Sequence, residues 1–142
     1  MRNKKLEFRK AGNRKYQYNN KKDKVVNRDL SERLYSFALD IVKFVKTLPR
    51  HWVALEIGRQ LLHSGTSVDA NYEEACGAFS KKEFTYKLSI AFREAKESHY
   101  WLRLLHDSEI VTSPEIVYLL QESREIRNIL GKSVKTARGN KK

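Results

Sequence analysis

The chain has 142 residues, 29 Lys/Arg against 17 Asp/Glu, and a net charge of +12. That length suits one domain, and 2 prolines with 6 glycines are too few for a turn-rich β-sandwich. No apolar run approaches the roughly 18–20 residues that cross a bilayer. The first apolar stretch is broken by Arg and Lys, unlike a secretory signal. A single cysteine, Cys76, excludes an internal disulfide and fits a reducing, cytoplasmic setting.

The charge is segregated. Residues 1–28 carry eleven cations against Glu7 and Asp23, a surplus of +9. Residues 132–142 carry five cations and no acid, which leaves 29–131 at −2. The reading is a basic arm (1–28), a folded body (29–137) and a basic tail (138–142). Like-charge blocks are usually solvated interaction tails. Tyr16 and Tyr18 sit among the arm's cations, and rings interleaved with cations suit RNA bases and phosphates. The alternative is a solubilising tail without a specific partner.

The body reads as four helices. Asp29 with Glu32 forms a capping box for the first, whose apolar face is Leu30, Leu34, Phe37, Ala38, Ile41, Phe44, Val45 and Leu48. Pro49 ends it. The second runs from about His51 to Phe79, with Ala54, Ile57, Leu61, Val68, Tyr72, Ala75, Cys76 and Phe79 as its apolar positions. Gly58, Ser64, Gly65, Ser67 and Ala70 thin its middle, which admits a neighbouring backbone or, alternatively, breaks the helix near Gly65. Gln60, Ser64, Ser67, Asn71 and Glu74 form a polar stripe beside that face, either solvated or a buried hydrogen-bonded layer.

Ser80 and Glu83 make a second capping box. The third helix then carries a heptad seam of Phe84, Leu88, Ala91, Ala95, Ser98, Leu102 and Leu105. Ser113-Pro114-Glu115 opens the fourth, with Ile116, Leu119, Leu120, Ser123, Ile126, Leu130 and Val134 on one face and Gly131 expected to fray its end. Short connections make neighbours antiparallel, so the fold class is all-α, an up-down-up-down four-helix bundle. Extra rings at Tyr35, Trp52, Tyr86, Tyr100, Trp101 and Tyr118 suggest a second apolar stripe facing another subunit.

No catalytic constellation is present: no phosphate loop, no CxxC, no HExxH. His99 and His106 share a helix face but lack further ligands for a metal. Cys76 reads as a buried structural thiol. The expectation is a non-enzymatic protein without cofactor or metal.

Asp29-Leu30, Phe37-Ala38, Leu48-Pro49, Ile57-x-x-Gln60-Leu61-x-x-Ser64, and Ser67-Val68-x-Ala70-Asn71-x-x-Glu74-Ala75 resemble the bundle family encoded by intervening sequences in bacterial 23S rRNA genes. Ser80-Lys81-Lys82-Glu83-Phe84 and Leu88-Ser89-Ile90-Ala91 also match it. The chain has His63 and Ala75 where that pattern has Arg and Gly. The resemblance implies an antiparallel bundle assembling as a homopentamer, no catalytic residues, and kinship to the accessory proteins of diversity-generating retroelements, which bind a reverse transcriptase and nucleic acid.

The expected function is therefore RNA or DNA binding. The candidate contacts are Arg2, Lys4, Lys5, Arg9, Lys10, Arg14, Lys15, Tyr16, Tyr18, Lys21 and Lys22 in the arm, with Lys135 and Arg138 at the other end. A protein-interaction scaffold, for example for a reverse transcriptase, is the alternative.

Overall fold

The computed structural model describes residues 22–139, four α-helices: α1 (Lys22–Val45), α2 (Trp52–Cys76), α3 (Lys81–Asp107) and α4 (Pro114–Ala137). Each packs on the next, and α1 also meets α4, giving the expected four-helix bundle. Leu34, Phe37, Ile41, Leu61, Leu88, Leu102, Leu105, Ile116, Leu119, Ile126 and Leu130 are fully buried along its axis. Among the described residues no helix is long and apolar enough to cross a membrane.

Helix α1 begins at Lys22, seven residues ahead of Asp29, so Asp29 is not its N-cap. Residues 22–28 contain neither Pro nor Gly, and a started helix gains one hydrogen bond per added residue. Good cap chemistry at Asp29 therefore does not stop it. At the other end α1 closes at Val45, where Thr47 Oγ1 donates to the Phe44 carbonyl at 2.7 Å.

Helix α2 is unbroken through Gly65. Both of its internal glycines lie against α1. A Cβ at Gly58 would stand 2.6 Å from Leu48 Cδ1, and one at Gly65 would stand 2.9 Å from Ile41 Cγ1. The thin middle is a close-approach groove. His51 caps this helix, its Nδ1 accepting from Ala54 N at 3.3 Å. The apolar period of the sequence overshoots the helix: α2 ends at Cys76, and Phe79 is 98% exposed in the following turn.

Ser80 caps α3, its Oγ accepting from Glu83 N at 3.0 Å, while the Glu83 carboxylate takes the Phe79 N–H at 3.2 Å. The heptad seam is buried from Leu88 to Leu105, with Phe84 half-buried at its start. After Asp107 the chain reverses through Glu109, whose φ of 61° lies in the left-handed region. Ser113 occupies the N-cap of α4 without a side-chain cap bond. Gly131 does not fray α4, which continues to Ala137 with Phe92 packed on that glycine.

Candidate nucleic-acid interface

The arm residues Arg2, Lys4, Lys5, Arg9, Lys10, Arg14, Lys15, Tyr16, Tyr18 and Lys21 lie outside the described residues, and Lys22 is the first residue of α1. Lys135 and Arg138 fall at the end of α4, Arg138 being its C-cap. There Arg138 lines an open cleft of about 500 Å³ with Ala137 and, from the first turns of α3, Lys81, Lys82, Thr85, Tyr86 and Ser89.

The first turn of α3 lies beside the end of α4 because α3 and α4 are antiparallel neighbours. Lys81, Lys82 and Arg138 are exposed. Among the described residues none of the three forms an ion pair. The Tyr86 ring is 60% exposed in the same cleft. Ser89 donates its hydroxyl to the Tyr86 carbonyl at 2.7 Å, keeping its oxygen available as an acceptor. Sequence alone places Tyr86 in a subunit stripe and passes over Lys81 and Lys82. The signal that marks them is local: two cations directly after an N-cap serine stand at the end of a helix that disfavours them.

The cation Arg33 is in the reverse setting. Arg33 on α1 binds Glu122 on α4 through two bonds, 2.8 Å from Nε and 2.7 Å from Nη2, and Nη2 also reaches Glu125 at 2.7 Å. Arg33 and Glu122 are largely buried, and this fork holds Glu125 below the usual carboxylate range. Further along the same side of α1, Asp40 is buried. Burial pushes its carboxyl up to about 7; Lys43 opposes that rise and Glu122 adds to it.

The polar stripe of α2 is neither wholly solvated nor wholly buried. Ser64 is buried, its hydroxyl 3.1 Å from that of Ser98 on α3. Asn71 turns back to the Ser67 carbonyl at 2.9 Å, and exposed Glu74 reaches Lys87 at 2.6 Å. Two members of the stripe thus bond across the α2–α3 seam.

His99 and His106 do not act together. His99 is buried, with Nδ1 2.8 Å from Ser123 Oγ, and burial first, then Arg127, lowers its pKa. His106 is exposed, with Nδ1 3.0 Å from Asp107. Cys76 is exposed at the end of α2 rather than buried, because the helix stops there. Its thiol bonds toward Tyr72 and Ser31, and partial burial raises its pKa, which disfavours the nucleophilic thiolate. Among the described residues no three His, Cys, Asp or Glu side chains group as metal ligands.

The sequence pattern of the 23S rRNA-intervening sequence protein family matches residues 27–132. The chain belongs to that family. A crystal structure of a protein of unknown function from the S23 ribosomal protein family of Bacteroides thetaiotaomicron VPI-5482 is similar to it, with 35% identity and a TM-score of 0.68. The match covers 75% of this chain and 98% of that one. No curated protein matches. The match runs from within α1 to within α4; residues 1–26 and 133–142, where the net positive charge concentrates, lie outside it.

Proposed function

We propose that this family member is a non-enzymatic, oligomeric bundle that binds RNA or DNA mainly through its basic ends. The observation that carries this is the segregation of charge: +9 in residues 1–28 and +5 in 132–142 around a body of −2. Such surfaces neutralise phosphates and release counterions, giving affinity without sequence reading. Lys135 and Arg138 support it, since neither is held by a carboxylate among the described residues. Assembly would multiply the arms and hence the avidity.

The test is fluorescence anisotropy with labelled oligonucleotides at several salt concentrations. The intact chain is compared with a full-length variant carrying Gln at Arg2, Lys4, Lys5, Arg9, Lys10, Arg14 and Lys15. The expected result is a loss of at least about tenfold at low salt with a shallower salt slope, alike for all sequences. Unchanged affinity and slope would refute it.

A protein interface is favoured by a separate observation. Tyr35, Leu39 and Val42 recur at helical spacing on the exposed side of α1, 61%, 41% and 37% exposed. Trp52, Leu55 and Leu62 are exposed on α2. This apolar surface fits the subunit contact of a homo-oligomer, a pentamer by family likeness, or the docking face of a scaffold. Leu39→Glu is expected to lower the mass measured by light scattering if the surface joins subunits. An unchanged mass, with the fold intact by circular dichroism, would leave the scaffold reading.

A further inference from the structure

We propose that the cleft between the start of α3 and the end of α4 binds one nucleotide of a single-stranded nucleic acid, its base on the Tyr86 ring and its phosphate among Lys81, Lys82 and Arg138. The inference rests on the nucleic-acid reading above and gives it a place on the folded body.

Three observations converge there. The first is shape. The cleft holds about 500 Å³ and is a shallow groove, largely open to solvent. A groove of that shape leaves most of a ligand in solvent, and it lets a strand run along it rather than end in it.

The second is charge placement. Ser80 is the N-cap, so Lys81 and Lys82 are the first two helical residues. Their backbone N–H groups have no carbonyl one turn earlier to meet. Ser80 Oγ is already committed to Glu83 N. Glu83, the acid of that turn, is folded back onto the Phe79 N–H. Two cations therefore stand at the positive end of a helix with no described carboxylate neutralising them. That arrangement opposes folding locally, and a bound phosphate turns the two ammonium groups and the helix end from mutual repulsion to attraction, which outnumbers the repulsion from the Glu83 carboxylate of the same turn. The phosphate would meet two ammonium groups, the helix end and the Arg138 guanidinium, which donates in a planar fork suited to phosphate. Positions that break a local rule without structural compensation are where function is expected.

The third is the ring. Tyr86 lies one turn beyond Lys82, roughly 6 Å along the helix. It lines the same cleft and is more than half exposed. No other ring stacks on it among the described residues. A flat exposed ring beside unpaired cations is the pairing that holds single strands, because every base has a face to stack. A duplex base is already stacked on both sides and cannot use it. An acidic peptide would use the cations and gain nothing from the ring.

The experiment uses the full chain and short fluorescent oligouridylate, oligodeoxyuridylate and a duplex of equal length. Tyr86→Ala is expected to weaken both single strands about tenfold, to leave the salt slope unchanged and to spare the duplex. Tyr86→Phe is expected to retain binding. Lys81→Gln with Lys82→Gln is expected to weaken binding and make the slope shallower by about 0.7 for each phosphate no longer neutralised. Photo-cross-linking of 5-bromouridine oligomers is expected to label the peptide containing Tyr86. A larger loss for one sugar would identify RNA or DNA as the preferred strand. If the parent binds and Tyr86→Ala changes nothing, the cleft assignment fails while the nucleic-acid reading stands. If the parent binds neither strand, both fail. Circular dichroism of each variant separates these outcomes from misfolding.

Discussion

Arg33 and the Lys81–Lys82 pair are cations on one bundle in opposite surroundings. Arg33 is largely buried and is met by Glu122 and Glu125 from the facing helix. Lys81 and Lys82 are exposed and sit at the positive end of α3. Arg33 reads as part of what joins α1 to α4, since a buried charge is tolerable only when it is paired and hydrogen-bonded. Lys81 and Lys82 contribute nothing of that kind to folding, and their position costs some stability. The contrast separates charge the bundle requires from charge it merely carries, and only the second is free for a partner.

The α1–α4 seam also holds a buried group whose charge the fold disfavours. Asp40 is buried beside that seam with its pKa raised to about 7 from an ordinary 3.8. The folded state therefore holds a proton that the unfolded state has already lost in this interval. Stability from this group falls as pH rises from about 4 through 7. Asp40→Asn removes that loss and is expected to raise stability at pH 8 by on the order of 3–4 kcal/mol, with little change near pH 4. Urea melts at the two pH values measure it.

Arg33→Met is expected to cost about 2 kcal/mol, less than for a fully buried pair because Glu125 is half exposed. Oligonucleotide affinity should not change. Lys81→Gln with Lys82→Gln should do the opposite: a gain of about 0.3–1 kcal/mol per site, read as a small rise in melting temperature, together with weaker nucleic-acid binding. If the Arg33 variant lost affinity without losing stability, or the Lys81/Lys82 variant lost stability, the division between the two sets of charge would be wrong.

The legible parts of this fold are those set by short-range chemistry. The α3 seam follows a strict heptad, and Ser80–Glu83 places its start to the residue. Gly58 and Gly65 announce a close helix contact by lacking a side chain. The errors lie where local signals compete with continuation. Asp29 has the chemistry of a cap but sits inside a helix already running. Cys76 and Phe79 keep the apolar period past the point where α2 stops. The cleft is only half legible. Arg138 stands out in the run of charge at the C-terminal end, but its partners Lys81, Lys82 and Tyr86 lie more than fifty residues earlier and meet it only through antiparallel packing of α3 and α4. Spacing along one helix carries no information about which far-off residue that packing brings alongside.

The most direct test of the central claim, that the cations concentrated at the two ends are a nucleic-acid surface, is the salt dependence of single-strand binding by the intact chain. Anisotropy titrations between low and physiological salt give the slope of log affinity against log salt. Neutralising about seven phosphates predicts a slope near −5, at about −0.7 for each. A slope near zero, or no binding at low salt, would contradict the account and leave the apolar surface of α1 and α2 as the protein's working face.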